Sequence, residues 1–227
     1  EKLSRSIFEQ LLCAVRHCHE SDIAHRDIKP ENIVVIKDKF IKIRVVLIDF
    51  GLSGNTTDNI DVKACGTPLY SAPEEFDMDR KISPKCADMW SLGVVLYVLV
   101  CGKLPFEAST LSKLREKVVN EKLDIPQSVS KSCAELLRGL CCKDAKRRFD
   151  IHQACNHDWI QRRRRTKSIV SPTSPTTTTT NENSTSVYPN AYWFSAPIAS
   201  NDKTKSPILR SMHSVKSPPP LNLKDDE

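Results

Sequence analysis

The sequence predicts a mainly α-helical fold that contains a short β-hairpin and is followed by a disordered tail. Apolar residues recur at helical spacing through the first 160 positions, and residues 88–100 are almost wholly apolar over the length of a helix. Two runs of β-branched residues on either side of a polar turn predict the hairpin. After Ile160 the composition shifts abruptly to Ser, Thr, Pro and Arg, which predicts the end of the folded part.

The N-terminal part predicts an amphipathic helix, a loop and then the hairpin. The helix ends near Ser21-Asp22, and its apolar face comprises Ile7, Leu11, Val15 and Cys18. A polar loop at residues 25–32 follows. The two predicted strands are Ile33–Ile36 and Ile41–Ile48, with Lys37-Asp38-Lys39 as the turn, so the second strand leads directly to Asp49.

The central apolar segment predicts a buried helix over Asp88–Val100, which we expect to form the core. Gly102 ends it and Pro105 follows. Helical periodicity predicts two further helices at Leu111–Asn120 and Ser132–Cys142, and Asp150–Ile160 closes the folded part.

The chain therefore divides into a folded domain, 1–160, and a basic, Ser/Thr/Pro-rich tail, 161–227. The tail contains five consecutive threonines from Thr176 and cannot bury enough apolar surface to offset the entropy of ordering. Tyr188–Ile198 contains an aromatic cluster, which has two interpretations. It is a docking segment for protein partners or, more simply, part of a disordered tail. Four arginines, 162–165, leave open a nuclear address, a contact with acidic lipids or a solvated charge run.

Charge and cysteine content exclude several classes of function. The net charge is +6, but residues 1–160 hold 24 basic and 23 acidic side chains, so no nucleic-acid-binding face is expected on the folded part. The longest apolar run, Leu92–Cys101, is too short to span a bilayer. Nine cysteines without a Cys-x-x-Cys pair predict reduced thiols in the cytoplasm. Cys13, His17 and His19 lie close together but lack further correctly spaced ligands, which favours ordinary helix positions over a metal site.

Three ordered motifs carry the functional prediction. Residues 25–32 read His-Arg-Asp-Ile-Lys-Pro-Glu-Asn, residues 49–51 read Asp-Phe-Gly, and residues 72–74 read Ala-Pro-Glu. In this order and spacing they resemble the signature set of protein kinases. The resemblance implies the large, C-terminal helical lobe of a kinase, with the hairpin beside its catalytic loop.

The resemblance also implies a role for each site residue. Asp27 is the expected catalytic base for a substrate hydroxyl, and Lys29, which marks serine/threonine kinases, is expected to contact the transferring phosphate. Thr67, in the sequence Cys-Gly-Thr-Pro, is expected near both of them. Asn32 and Asp49 supply oxygen ligands of the kind that Mg²⁺ prefers. The expected cofactors are therefore ATP and Mg²⁺, and the expected partners are protein substrates.

The expected nucleotide-binding set consists of Lys29, Glu31, Asn32, Val34 and Asp49, with Val34 on the adenine floor. Glu31 also leaves open two other interpretations in equal measure: a contact for a basic residue upstream of the target hydroxyl, and an ordinary polar loop residue.

Supporting positions also match the family. His25, Phe50 and Asp88 match a regulatory stack, for which ordinary core packing is the alternative and, for Asp88, a helix N-cap. Glu74 and Arg148 match a buried ion pair. Two further segments, 51–53 and 102–106, look most like the calmodulin-dependent and AMP-activated kinase group.

The sequence also departs from a complete kinase. It has no Gly-x-Gly-x-x-Gly loop, no matching strand lysine and no helix glutamate, so we expect the small lobe to lie upstream of Glu1 or not to exist. The alternative function is a catalytically inactive lobe fragment that acts as a binding or scaffold protein. Lys63 stands where many related kinases carry an activating phosphothreonine, which predicts activation that does not depend on that phosphate, with Thr56 and Thr57 as substitute sites.

Overall fold

The computed structural model describes residues 1–36, 43–56, 67–77 and 83–161, and these residues form a mainly helical fold with two small sheets. The helices are α1 (Lys2–Glu20), α2 (Pro84–Cys101), α3 (Leu111–Asn120), α4 (Lys131–Leu140) and α5 (Ile151–Asn156). The strands are β1 (Ile23–Ala24), β2 (Ile33–Ile36), β3 (Arg44–Leu47) and β4 (Gly54–Asn55). The mainly α fold with a hairpin agrees with the sequence prediction.

Helix α1 is amphipathic, as its spacing predicts. On its apolar face Ile7, Leu11 and Val15 are buried and Cys18 is partly buried, and the helix contacts α2, α5 and β3. The helix ends at Glu20, where the amide N–H of Ser21 donates to the carbonyls of His17 and Cys18. The predicted end at Ser21-Asp22 is thus confirmed within the usual uncertainty of helix boundaries.

Helix α2 is the centre of the core. It begins at Pro84, whose missing N–H is not needed in the first turn, and it ends at Gly102, which adopts the left-handed conformation with φ of 72°. By length and a mean hydropathy of 1.4 the helix would be long enough and apolar enough to cross a membrane, but 72% of that window is buried inside the protein. Such burial is typical of the core helix of a globular domain.

Strands β2 and β3 form the predicted antiparallel hairpin, with Ile33 opposite Leu47. The predicted turn Lys37-Asp38-Lys39 lies outside the described residues, as do residues 40–42. The side chain of Gln10 lies along β3: its Nε2 donates to the carbonyl of Ile43, and its Oε1 accepts from the amide of Val45. Because β3 runs Arg44–Leu47, the predicted strand Ile41–Ile48 is too long at Ile43 and at Ile48.

Side-chain caps define where α3, α4 and α5 begin. The oxygens of Thr110, Ser130 and Asp150 accept from backbone amides in the first turns of these helices. The α3 prediction is confirmed. The Ser130 cap begins α4 at Lys131, and α4 ends at Leu140, two residues before the predicted end. Helix α5 ends at Asn156 because the next residue, His157, has extended backbone with ψ of 141°.

The described cysteines are all free thiols. Within the described ranges no group of three His, Cys, Asp or Glu side chains is placed to hold a metal ion. Two members of the Cys13, His17 and His19 group differ in solvent exposure, since Cys13 is exposed and His19 is only 5% exposed.

Candidate active site

Asp88 fixes the backbone at the start of the predicted catalytic loop, residues 25–32. Its Oδ2 accepts from the amide of His25 and its Oδ1 from the amide of Arg26, each at 2.8 Å, and the residue is 1% exposed. Asp88 is the fifth residue of α2, whose N-cap is Ser83, so the alternative that it caps the helix is wrong. The carboxylate instead ties α2 to the loop after β1.

His19 is a further partner of Asp88 that the sequence did not reveal. Its Nε2 lies 2.8 Å from Asp88 Oδ2, and both side chains are buried. His19 thereby joins α1 to the same carboxylate that holds the catalytic loop. A buried carboxylate with three hydrogen-bond partners is held in one orientation, which fixes the loop.

Two site residues adopt a backbone conformation that non-glycine residues rarely take. Arg26 has φ of 66° and Asp49 has φ of 63°. The Asp88 contact stabilises the first. In the second, the amide N–H of Gly51 donates to Asp49 Oδ1 at 3.2 Å. Strained backbone of this kind concentrates at functional sites because the surrounding contacts must maintain it.

Asp27, Lys29 and Thr67 meet at one point. Lys29 Nζ lies 2.7 Å from Asp27 Oδ2 and donates to Thr67 Oγ1 at 2.9 Å, while Thr67 Oγ1 lies 3.4 Å from Asp27 Oδ1. The three residues come from the catalytic loop and from a segment 38 residues further along the chain. The structure therefore brings the three predicted catalytic side chains into direct contact.

Asn32 and Asp49 lie at the same end of the β2–β3 hairpin. The amide N–H of Ile48, next to Asp49, donates to the carbonyl of Asn32 at 2.9 Å and continues the ladder. The Asn32 side-chain amide donates to the carbonyl of Asp27 at 2.8 Å and to its Oδ2 at 3.0 Å, which leaves the amide oxygen for a cation. An amide oxygen beside a carboxylate fits the ligand preference of Mg²⁺.

Three further residues of the predicted site are exposed: Glu31, Val34 and Phe50. Val34 is 37% exposed, and Phe50 is 45% exposed although its ring contacts His25 edge-on, with centroids 4.8 Å apart. The alternative that Phe50 is an ordinary core residue is therefore wrong, whereas His25 is fully buried. Glu31 is also exposed and lies in a short 3-10 helix, Pro30–Asn32.

Glu74 and Arg148 form the predicted buried ion pair. Arg148 Nη1 donates to Glu74 Oε1 at 2.6 Å, and Nη2 donates to Oε2 at 2.8 Å. The same guanidinium donates to the carbonyls of Cys86 and Cys142. This bidentate contact joins the end of the 67–77 segment to the loop after α4 and to the first turn of α2.

A cavity lies behind the catalytic residues. Its wall combines the catalytic loop, the 67–77 segment and α2, and its charged side chains are Arg26, Asp27, Glu75 and Asp88. Glu75 and the neighbouring Ser91 were not singled out by the sequence. Their partners are backbone groups, and no short motif marks such contacts.

Some predictions fall outside the described residues. These are Cys65, Gly66, Lys63, Thr57, the Arg162–Arg165 run and the tail. Thr56 is described, and its amide donates to the carbonyl of Asp22.

A model of the protein kinase domain matches residues 1–160. Among curated proteins, the chain is 43% identical to "Serine/threonine-protein kinase SIK3 homolog" of Danio rerio, 40% to "Serine/threonine-protein kinase SIK2" of Gallus gallus and 36% to "SNF-related serine/threonine-protein kinase" of Homo sapiens. Each comparison covers 71% of this chain but only 13%, 20% and 21% of the relative, in that order. The chain therefore belongs to the protein kinase family, in its calmodulin-dependent and AMP-activated group.

Proposed function

We propose that this chain is the C-terminal lobe of a protein serine/threonine kinase, which transfers the γ-phosphate of ATP to serine or threonine hydroxyls of protein substrates. The observation that carries the proposal is the contact of Asp27, Lys29 and Thr67, with Asn32 hydrogen-bonded to Asp27. Phosphoryl transfer requires little covalent chemistry from a protein, so a small set of correctly placed polar groups suffices.

Asp27 has the environment of a base that orients a hydroxyl. The carboxylate is held by the Asn32 amide on one oxygen and approached by Thr67 on the other. When a substrate hydroxyl attacks the γ-phosphorus of ATP, its oxygen bonds to phosphorus while the bond from phosphorus to the β,γ-bridging oxygen breaks and ADP leaves. The O–H bond of the hydroxyl breaks as well, and Asp27 accepts the proton. A base in this role contributes a factor of about 10² to 10⁴ in rate.

Lys29 supplies positive charge beside Asp27, in reach of a phosphate on the attacked side. A lysine ammonium acts as a compact point charge with several donors, and here one of them holds Thr67. ATP would supply the phosphoryl group, and Mg²⁺ held by Asn32 and Asp49 would neutralise its charge. Without those two ligands the charge of Mg²⁺ would be lost, and Lys29 would have to offset the repulsion between the triphosphate and Asp27.

The lobe assignment rests on what surrounds the site. Seven large apolar residues are exposed in the described part of the chain, and two of them, Ile23 and Val119, lie in β1 and α3. The other five are near the hairpin or the Asp49–Gly51 motif, where the nucleotide and a small lobe cover the cleft in a complete kinase: Val34, Ile36, Ile48, Phe50 and Leu52. Large exposed apolar surfaces mark contacts with other groups. The mass of the endogenous polypeptide, captured with an antibody against this chain, tests the assignment. A product larger by about 80 to 150 residues is expected, whereas 25.6 kDa would favour the scaffold function.

The reaction is tested with the full-length protein that carries this chain and three peptides that differ only in the acceptor: Ser, Thr or Tyr. We expect Mg²⁺-dependent transfer from ATP to the Ser and Thr peptides and not to the Tyr peptide. Asp49→Ala removes an expected metal ligand and should abolish transfer, while Asp144→Ala, in the loop between α4 and α5, is the matched control. Equal transfer by wild type and Asp49→Ala would contradict the site assignment, and transfer by neither would favour the scaffold alternative.

A further inference from the structure

Glu75 is a buried carboxyl that the proposed mechanism does not use. It follows Glu74 in the short 3-10 helix Pro73–Phe76, is 8% exposed and takes no part in the pair with Arg148. Its Oε2 accepts from the amide N–H of Ala72 at 2.5 Å. The residue also lines the cavity behind Asp27.

The charged groups that act on Glu75 come from its own turn, from α2 and from the loop after α4, and α3 also packs against the 3-10 helix. Glu74 lies in the same turn, Asp88 reaches it from α2, and Arg148 approaches from the loop after α4. Across the cavity lie Arg26 and Asp27 of the catalytic loop. Burial raises the pKa of Glu75 to about 7; the Ala72 amide opposes this, Glu74 and Asp88 add to it, and Arg148 opposes it.

The hydrogen bond between Glu75 and Ala72 affects the contact of Asp27, Lys29 and Thr67, because Thr67 and Ala72 are the two ends of one segment, Thr67–Ala72. Thr67 contacts Lys29 at one end, and Ala72 is bonded to Glu75 at the other. Between them, the hydroxyl of Ser91 on α2 donates to the carbonyl of Tyr70 at 2.8 Å. Glu75 and Ser91 thus hold the segment that carries Thr67 to the core at two points.

We propose that Glu75 is a positioning residue whose protonation controls how firmly the Thr67–Ala72 segment is held beside Asp27. The protonated side chain still accepts the Ala72 amide while placing no charge next to Glu74 and Asp88. The ionised side chain keeps that bond but adds a third negative charge in a buried site, which favours release of the segment into water. The catalytic consequence rests on the proposed kinase function, whereas the structural consequence does not.

The direction of the pH dependence follows from the linkage between ionisation of Glu75 and opening of the segment. The pKa of Glu75 in the closed segment is about 7, above the ordinary value of 4.5 that applies once the segment opens. The stabilisation is complete below the ordinary value and is lost as the pH rises through 7. Between about pH 5.5 and about pH 8.5, the opening equilibrium constant should rise roughly thirtyfold in the wild type. Glu75→Gln keeps the acceptor without the titration, so its opening constant should stay constant.

Hydrogen exchange of the Ala72 amide in the full-length protein tests the proposal. Rates are corrected for intrinsic exchange and compared at about pH 5.5 and about pH 8.5 for wild type, Glu75→Gln and Ser91→Ala. Ser91→Ala is the matched control: it removes the other tether, so it should raise opening at both pH values while keeping the wild-type pH dependence. A flat wild-type profile, or a Glu75→Gln profile that parallels the wild type, would overturn the proposal. The wild-type profile decides even if Glu75→Gln does not fold.

Peptide kinetics add the catalytic readout. The KM for a serine peptide should rise between about pH 5.5 and about pH 7 in the wild type relative to Glu75→Gln and then level off, because the segment beside Asp27 is less often closed once Glu75 ionises. If the protein transfers no phosphate, the proposed kinase function is contradicted. The hydrogen-exchange result still tests the effect of Glu75 on the segment, because it does not depend on catalysis. If transfer occurs and the two KM profiles coincide, the positioning role is refuted.

Discussion

Breaking the Glu74–Arg148 pair should be among the most destabilising single changes in this chain. Arg148 makes two hydrogen bonds to Glu74 and one each to the carbonyls of Cys86 and Cys142, and its side chain is fully buried. Glu74→Ala removes the only carboxylate that the structure, over the residues it describes, pairs with this charge. A buried charge without its partner costs about 3–5 kcal/mol.

Urea unfolding of the 227-residue chain, followed by circular dichroism, measures this cost. With a denaturant slope of about 2 kcal/mol per molar urea, a loss of about 4 kcal/mol lowers the midpoint by about 2 M. The double variant Glu74→Leu/Arg148→Met removes both charges and keeps apolar volume, so it should be more stable than Glu74→Ala. A Glu74→Ala midpoint within about 0.5 M of the wild type would refute the reasoning, since it would show that the charge is solvated.

Two further changes test packing and linkage. Gly139→Ala would place a Cβ 2.2 Å from the Phe149 ring, so thermal unfolding should show that the free energy of unfolding falls by several kcal/mol, about the cost of overpacking or more. A change under about 0.5 kcal/mol would contradict the packing at this glycine. Lys143 donates to the carbonyl of Val118, and burial lowers the pKa of Lys143 to about 8 from the ordinary 10.5. Above pH 8 the unfolded chain therefore binds more protons than the folded one, so the free energy of unfolding should rise with pH there. Lys143→Met should lose that rise in melting temperatures compared at about pH 8 and about pH 10, and an unchanged rise would assign the pH dependence to another group.

Elements defined by local pattern could be predicted from the sequence. Helix α3 and the start of the hairpin follow from apolar spacing and from β-branched runs, because these signals act over a few residues. The beginning of α2 could not be found in this way. Its first turn is Pro84-Lys85-Cys86-Ala87, which lacks an apolar run, so the helix appeared to begin at Asp88.

Contacts between residues far apart in the sequence could be predicted only where a family motif indicated them. The Asp27–Lys29–Thr67 contact and the Glu74–Arg148 pair follow from motifs, although the pair spans 74 positions. His19 and Glu75 carry no such mark, because one bonds to a carboxylate 69 residues away and the other to a backbone amide. The left-handed backbone of Arg26 and Asp49 was also not predictable, since neither is glycine and tertiary contacts maintain the conformation.

The most direct test of the proposed function is the rate of phosphate transfer in a single turnover, with the full-length protein and Mg²⁺-ATP in excess over a serine peptide. Asp27→Asn preserves the size of the side chain and removes the base. We expect the rate of the chemical step to fall by about 10² to 10⁴ while ATP affinity changes little. An Asp27→Asn rate equal to that of the wild type would show that Asp27 does not act on the substrate hydroxyl and would contradict the assignment of this site.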